Sequence, residues 1–112
     1  MYDKNNVFAK IINKQIPAKI IYEDDKIISF HDINKKAPVH AIIIPKSFFI
    51  SYQDFITNSD NEQISYFFKK IDEIAKILNI HNSYRLMTNH GSAMGQMVFH
   101  FHIHLMGGGL IK

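Results

Sequence analysis

The sequence predicts an α+β fold in which a five-stranded antiparallel sheet is combined with a long helix and a short N-terminal helix. Short apolar runs between turn residues indicate strands, and one long segment repeats apolar residues at the three-and-four spacing of a helix. A histidine segment near the C-terminal end alternates as a half-buried strand does. With 112 residues, 46% of them hydrophobic, we expect one domain over residues 1–112.

The N-terminal part of the chain predicts a helix followed by three strands that pair as an antiparallel meander. Pro17 ends the helical pattern, and the acidic pair Asp24-Asp25 marks a tight turn between the first two strands. A polar loop then precedes the third strand. The predicted elements are a helix at residues 7–12 and strands at residues 20–22, 26–30 and 39–44.

The C-terminal part predicts the long helix and the last two strands. Ser59 and Glu62 fit a capping box at the start of this helix, in which each side chain satisfies a free backbone N–H group. We expect the helices to cover one face of the sheet. The predicted elements are a helix at residues 60–79, strands at 84–88 and 98–105, and a glycine-containing loop at 89–96.

The bulk composition disfavours several classes of function. The net charge of +3 comes from basic residues spread along the chain, so no nucleic-acid partner is expected. The chain has no cysteine, which excludes disulfides and thiolate metal sites. Its first residues lack the apolar segment of a secretory signal, and no apolar run approaches the roughly 20 residues that span a bilayer. We therefore expect a cytoplasmic protein with no membrane partner.

Three histidines alternate strictly with apolar residues at positions 100, 102 and 104. In a strand, His100, His102 and His104 would share one face, with about 6.6 Å between successive side chains. His40 lies in the predicted third strand and could face the same ligand. A single histidine on a strand is most often an ordinary hydrogen-bonded residue, but strict alternation of three predicts convergent imidazoles.

Two chemistries can use such a row of imidazoles. Metal binding by alternate histidines on a strand commonly needs a further carboxylate ligand, and no carboxylate lies near the row in sequence. Nucleophilic catalysis needs one neutral imidazole, a group that holds its tautomer, and donors for developing negative charge. The second interpretation is favoured, while the first stays open.

The flanking segments favour a phosphate-bearing ligand. The loop before the histidine row offers the Asn89 amide and two glycines, Gly91 and Gly95, which let backbone N–H groups approach an anion. Asp32, at the end of the predicted second strand, could hold ribose hydroxyls. Equally, Asp32 could do no more than form a turn.

The segment His-Phe-His-Ile-His-Leu-Met at residues 100–106 resembles the signature of the histidine triad (HIT) family of nucleotide hydrolases and transferases. The resemblance covers nearly the whole chain in order and is closest to the Hint branch, the purine-nucleoside phosphoramidases. The matching segments are residues 8–12, 16–19, 22–26, 30–33, 37–40 and 44–46, and Gly107-Gly108.

The resemblance implies a role for each histidine of the row. His102 would attack the α-phosphorus of an adenosine 5′-phosphoramidate and form an adenylyl-histidine that water hydrolyses. His104 would contact the phosphate and assist proton transfer. His40 would orient His102, and His100 would act mainly through its main-chain carbonyl.

The resemblance also implies a purine nucleotide substrate, a homodimer whose two sheets join into one of ten strands, and hydrolysis without a metal cofactor. The residues implied to bind nucleotide fall into three groups. They are Asp32 and Ile33 at the ribose, Phe8, Ile11 and Phe30 at the base, and Asn89, Gly95, Gln96 and Met97 with His102 and His104 at the α-phosphate.

The sequence departs from the family at several positions. Met97 stands where relatives often have a serine, and a thioether cannot donate a hydrogen bond, so we expect an altered rate or leaving-group preference. Asn6 and Ala9 replace a cysteine pair that binds structural zinc in many bacterial relatives, and Phe48 replaces a histidine, so no structural zinc is expected. The sequence ends at Lys112 without a tryptophan-containing tail, which predicts broader or different specificity.

The three remaining histidines have weaker predictions. We expect His81, which follows the long helix, to interact favourably with the helix dipole. His90 lies in the glycine-containing loop and is a candidate contact for an anion. We expect His31 to point away from Phe30 and Asp32.

Other functions remain as alternatives to the phosphoramidase. A dinucleoside polyphosphate hydrolase would use the same chemistry, although Gly107-Gly108 resembles the Hint branch. A second alternative is a nucleotide-binding or interaction module with little turnover. A third is a protein that binds a metal through its histidine strand.

Overall fold

The computed structural model describes residues 1–109 and has the predicted α+β architecture. Residues 110–112 lie outside the described part, and so does the C-terminal feature on which the prediction about specificity rests. The helices are α1 (Val7–Ile12), α2 (Tyr52–Asn58) and α3 (Asn61–Ile77), and Ser92–Met94 forms a short 3₁₀ turn. The strands are β1 (Ile20–Glu23), β2 (Ile27–His31), β3 (Val39–Pro45), β4 (Tyr84–Met87) and β5 (Ile103–Gly107). Within residues 1–109, no helix is both long and apolar enough to cross a membrane.

All five strands form one antiparallel sheet in the order β1-β2-β3-β5-β4. The first three strands make the predicted meander, and β5 pairs with β3 in the middle of the sheet. In this register Ile42 of β3 lies opposite both Phe30 of β2 and His104 of β5. The histidine strand is therefore central, whereas β1 and β4 are the edges.

Helices cover both faces of the sheet, so the expectation of helices on one face is wrong. On one face α3 packs with α2 over Ile43 and Leu105. On the opposite face Phe8 of α1 packs against alternate positions of the central strands. The reason lies in β3, where Ile42, Ile43 and Ile44 are consecutive and all buried, so both faces need an apolar cover.

Helix α2 was not predicted from the sequence. It has seven residues, of which only Phe55 is buried, so it lacks the periodic apolar face that marks longer helices. The Phe55 ring stacks on Phe101 with 4.6 Å between ring centroids. This contact links α2 to the segment that precedes the histidine strand.

Helix α3 begins one residue later than the predicted capping box requires. Its N-cap is Asp60, whose carboxylate accepts a hydrogen bond from the Gln63 N–H at 2.8 Å, while the Gln63 side chain accepts from the Asp60 N–H at 3.4 Å. The expected box of Ser59 and Glu62 is therefore wrong. The Ser59 hydroxyl is instead buried without a hydrogen-bond partner.

Strand β5 begins at Ile103, five residues after the predicted start at position 98. In the register of β3 and β5, Ile43 lies opposite Ile103, and Pro45 lacks the N–H group that would continue the ladder. The segment 98–102 is therefore held by other contacts, which include a 2.7 Å hydrogen bond from the Phe101 N–H to the Phe49 carbonyl.

The two candidate caps of α3 predict opposite effects on stability. Asp60→Ala removes the cap and should lower the free energy of unfolding by about 0.5–2 kcal/mol. Ser59→Ala removes an unpartnered buried hydroxyl and should leave stability unchanged or slightly raised. Urea denaturation of both variants measures the difference. A larger loss of unfolding free energy in Ser59→Ala than in Asp60→Ala would contradict Asp60 as the N-cap.

Candidate functional site

Three imidazoles meet on the face of the sheet that α1 covers. His40 of β3 and His104 of β5 lie diagonally across the strand pair, and their ring centroids are 5.1 Å apart. The His102 ring, just before β5, is also 5.1 Å from the His104 ring. The predicted opposite face is confirmed, because Phe101 and Leu105 are buried with α3.

A backbone carbonyl fixes the tautomer of His102. The Nδ1 atom of His102 lies 2.7 Å from the His100 carbonyl oxygen. Because a carbonyl only accepts, His102 donates from Nδ1–H, and the lone pair of the neutral ring is at Nε2. The side chain is 6% exposed, and the edge-on Phe8 ring lies 4.9 Å away. His102 is thus a shielded imidazole with one basic nitrogen.

A backbone amide fixes the tautomers of the other two imidazoles. The Lys36 N–H donates to His40 Nδ1 at 2.9 Å, so the neutral His40 ring carries its hydrogen on Nε2. That Nε2–H faces His104 Nδ1 at 2.9 Å, and His104 therefore keeps its own hydrogen on Nε2. The resemblance implies that His40 orients His102, but the His40 ring hydrogen-bonds to His104 instead, so the expectation of a direct contact with His102 is wrong.

The ring of His100 does not join the other three imidazoles. Its Nε2 lies 2.7 Å from the Pro45 carbonyl, and its Nδ1 lies 2.5 Å from the Tyr2 hydroxyl. The expectation that four imidazoles converge on one ligand is therefore wrong. Since residues 98–102 are outside the ladder, the alternation of a strand does not apply to His100. Its carbonyl contacts His102, as the resemblance implied.

Asp32 both forms a turn and reaches the histidines. Its Oδ1 accepts a hydrogen bond from the Asn34 N–H at 2.8 Å. Its Oδ2 lies 3.4 Å from His40 Nε2 and 3.9 Å from His104 Nδ1. The lack of a carboxylate near the row in sequence therefore does not mean that the cluster lacks one, because Asp32, distant in sequence, supplies it.

Asp32, His40 and His104 are the residues of the described chain that could hold a metal ion, with donor atoms within 4.8 Å of one another. The hydrogen bonding does not fit this use. The Lys36 N–H occupies the lone pair of His40 Nδ1, so His40 Nε2 carries a hydrogen rather than a free lone pair. Ligation would need this hydrogen bond to break.

Burial keeps the histidines neutral. Desolvation lowers the pKa of His102 and of His40, in each case against the attraction of Asp32. Desolvation also lowers the pKa of His104 to about 4, helped by the neighbouring histidines, and the pKa of His100 to about 4. At neutral pH the cluster therefore works through tautomers and hydrogen bonds rather than through positive charge.

The residues expected at the base and ribose surround this cluster. Phe8, Ile11 and Phe30 come together but are 6%, 6% and 4% exposed, so most of their surface belongs to the core. Ile33 is 92% exposed. A concavity of about 360 Å³ adjoins the expected ribose residues and is lined by Lys19, His31, Asp32, Ile33 and Lys35. His31 also lines this concavity, and the direction of its side chain relative to Phe30 and Asp32 stays a prediction.

The glycine-containing loop brings Gly95 close to Asn89 and uses the Gln96 side chain for internal hydrogen bonds. Gly95 has φ +94°, and a Cβ there would lie 3.9 Å from the Asn89 amide nitrogen. Gln96 is buried, and its amide bonds to the Gly91 N–H and to the carbonyls of residues 50 and 98. The Gln96 side chain is thus not free to bind phosphate. Met97 is 88% exposed.

Sequence reasoning missed three contributors to the site. The Thr88 hydroxyl donates to the His102 carbonyl at 2.8 Å, the Lys36 backbone amide sets the His40 tautomer, and the Tyr2 hydroxyl contacts His100. Thr88 could have been found, because it is the last residue of the predicted strand at 84–88, and the observed strand β4 pairs with the histidine strand. Neither a backbone amide nor a residue 98 positions away gives a local signal.

The lowered pKa values predict that the protein loses stability between pH 6.5 and pH 4. Above pH 6.5 these histidines are neutral in both the folded and the unfolded chain. As the pH falls toward 4, the unfolded chain binds protons that folded His100 and His104 do not, which costs about 2 kcal/mol for each at pH 5. Urea denaturation at pH 7 and pH 5 measures the loss.

Two variants check the source of this loss. His104→Asn should weaken the pH dependence, whereas the same change at exposed His81 should leave it as in the wild type. An unaltered pH dependence in His104→Asn would show that other groups cause the effect.

The chain is similar to a known family model and to several known proteins. A family model described as HIT domain matches residues 13–109. An uncharacterized HIT-like protein of Rickettsia prowazekii is 52% identical over 109 residues, 96% of this chain and 91% of that protein. A HIT family hydrolase from Legionella pneumophila has a TM-score of 0.88 and 35% identity, with 96% of each chain covered. A hypothetical histidine triad nucleotide-binding protein from Sulfolobus tokodaii has a TM-score of 0.77 and 26% identity, covering 94% of this chain and 70% of that one.

Proposed function

Since the chain belongs to the HIT domain family, we propose that it is a hydrolase of adenosine 5′-monophosphoramidates. It cleaves the P–N bond, or a corresponding mixed anhydride bond, through a nucleotidyl-histidine intermediate on His102. The closeness to a HIT family hydrolase and to a protein described as nucleotide-binding supports the general class. The Hint-like substrate rests on the motifs that the sequence shares with that branch.

The hydrogen bond from His102 Nδ1–H to the His100 carbonyl is the observation that carries this proposal. A nucleophilic imidazole needs an unprotonated nitrogen aimed at the electrophile and a second group that holds its tautomer. This bond supplies the second group and leaves Nε2 as the attacking atom. His104 retains an Nε2–H that can donate to a phosphate oxygen.

In the first step the Nε2 lone pair of His102 attacks the α-phosphorus, an Nε2–P bond forms, and the P–N bond breaks. The leaving nitrogen takes a proton. An anionic phosphate beside His104 raises the pKa of that imidazole, so as substrate binds His104 gains a proton from solvent at Nδ1, on the side where Asp32 Oδ2 can accept it, and its Nε2–H passes to the leaving amine. Water then attacks the phosphorus of the nucleotidyl-histidine, the Nε2–P bond to His102 breaks, and His104 Nε2 accepts the proton of the water. AMP is released, and the proton on His104 Nδ1 returns to solvent.

The surroundings of the histidines support a nucleotide as the ligand. The concavity beside Asp32 is open to solvent and lined by Lys19 and Lys35, which favour an anionic ligand. In the proposed complex Asp32 and Ile33 contact ribose, and Asn89 and the backbone around Gly95 contact the α-phosphate. The proximity of Gly95 to the Asn89 amide supports this assignment.

Release of AMP from adenosine 5′-phosphoramidate tests the proposal. We expect wild-type protein to turn over in excess EDTA, because no step needs a metal. His102→Ala should lower kcat by at least about 10³-fold without unfolding the protein, because it removes the only atom that forms the intermediate. His81→Ala, a change at an exposed histidine away from the cluster, is the matched control.

Each other outcome favours a different function. Wild-type protein that binds AMP and releases no product would support the nucleotide-binding module, in which exposed Met97 replaces a useful hydroxyl. Activity that requires added zinc would support a metal site at Asp32, His40 and His104 and overturn the proposed mechanism. Faster cleavage of a dinucleoside polyphosphate would favour the other hydrolase class.

The edge strand β4 supports a homodimer with a continuous sheet. All four of its residues are exposed, including Tyr84, Leu86 and Met87. An exposed apolar edge is a template for pairing with a second strand. The proposed ten-stranded sheet would join β4 of two copies.

Sedimentation tests this assembly. At micromolar concentration we expect a species of twice the 13.0 kDa mass of one chain. Leu86→Lys should shift the distribution toward the monomer, since it places a charge on the proposed interface, whereas Ile77→Lys, at an exposed position on α3, should not. A wild-type species of 13.0 kDa alone would contradict the dimer.

A further inference from the structure

We propose that Tyr2 is a positioning residue for the nucleophile, which it reaches through His100. The Tyr2 hydroxyl contacts the His100 ring, and the His100 carbonyl holds the Nδ1–H of His102. The inference deepens the proposed function, since it concerns the geometry of the same imidazole. It assigns a role in the site to the N-terminal segment that precedes α1.

The direction of each hydrogen bond at His100 follows from its partners. The Pro45 carbonyl can only accept, so His100 donates to it from Nε2 at 2.7 Å. The lone pair of the neutral ring is then at Nδ1, which accepts from the Tyr2 hydroxyl at 2.5 Å. The His100 side chain is fully buried, so Tyr2 supplies the donor that Nδ1 cannot obtain from water.

These two bonds matter because the backbone around His100 lies outside the sheet ladder. Pro45 ends the pairing of β3, and β5 starts only at Ile103. The orientation of the His100 carbonyl therefore depends on the fixed His100 ring and on the neighbouring Phe101 N–H, which bonds to the Phe49 carbonyl. Loss of the Tyr2 hydroxyl leaves His100 Nδ1 without a partner, so only the bond from Nε2 to the Pro45 carbonyl still holds the ring.

Tyr2 is itself held in place by an aromatic contact. Its ring stacks on Phe48 with 4.6 Å between centroids and 4° between ring planes, and both rings meet the His100 ring edge-on. Burial raises the pKa of the Tyr2 phenol, so the hydroxyl remains a donor over the working pH range. The stacking on Phe48 thus holds the donor in position, and burial keeps its hydroxyl protonated.

The variant Tyr2→Phe tests this role, because it keeps the stacked ring and removes only the hydroxyl. We expect kcat for adenosine 5′-phosphoramidate to fall about 5-fold with KM unchanged, as for loss of one hydrogen bond that acts on orientation. The matched control is Tyr66→Phe. Tyr66 lies in α3, on the face of the sheet opposite the histidine cluster, and the change removes a hydroxyl that donates to Asp24. This control should keep the wild-type kcat.

A spectroscopic measurement separates positioning from stability and does not require turnover. In ¹⁵N NMR spectra at pH 8, wild-type His102 should show one protonated nitrogen, Nδ1, and one unprotonated nitrogen, Nε2. In Tyr2→Phe the two shifts should move toward each other as the tautomers mix, while Tyr66→Phe should match the wild type. Phe48→Leu, which removes the stacking partner, should move them in the same direction as Tyr2→Phe.

The outcomes distinguish this inference from the proposed function. Wild-type kcat and unchanged His102 shifts in Tyr2→Phe would overturn the role of Tyr2, even if the protein is an active phosphoramidase. Mixed tautomers in Tyr2→Phe would support that role even if the wild type released no AMP. A kcat loss in Tyr66→Phe equal to that in Tyr2→Phe would also overturn it, since the effect would then follow stability alone.

Discussion

The hydrogen bond between His102 Nδ1 and the His100 carbonyl is the constraint on which the site depends. In a free neutral imidazole either nitrogen can carry the hydrogen, and this bond selects the tautomer with Nδ1 as the donor and Nε2 as the base. The bond joins residues only two positions apart, so the chain must turn locally instead of continuing as a strand. Pro45 on the neighbouring strand provides this break, because it has no N–H group with which to continue the ladder.

The backbone determines the protonation pattern of the whole histidine cluster. A main-chain N–H can only donate and a main-chain carbonyl can only accept, so each gives its imidazole partner a single tautomer. Lys36 does this for His40, and through it for His104, while Pro45 does so for His100. Charges would be a weaker means of control here, because burial lowers the pKa of all four rings.

The sequence predicts the sheet well and the site in part. Alternation and turn residues identify the five strands, because these signals are local, and the long helix follows from its apolar period. The sequence could not place Asp32 against His40, since contact between distant segments depends on strand order. It also misassigned His100, because a strict alternation predicts a strand and gives no sign that Pro45 interrupts the pairing. Tyr2 carries no pattern at all.

Burial of His102 contributes little through the amount of neutral imidazole. With an ordinary pKa near 6.5, about three quarters of the rings are already neutral at pH 7. A lowered pKa can therefore raise the neutral fraction by no more than about 1.3-fold, and it makes the nitrogen less basic. Orientation can contribute far more to rate. The packing of Phe8 against His102 and the fixed carbonyl of His100 are thus better understood as constraints on where Nε2 points than as a means of deprotonating it.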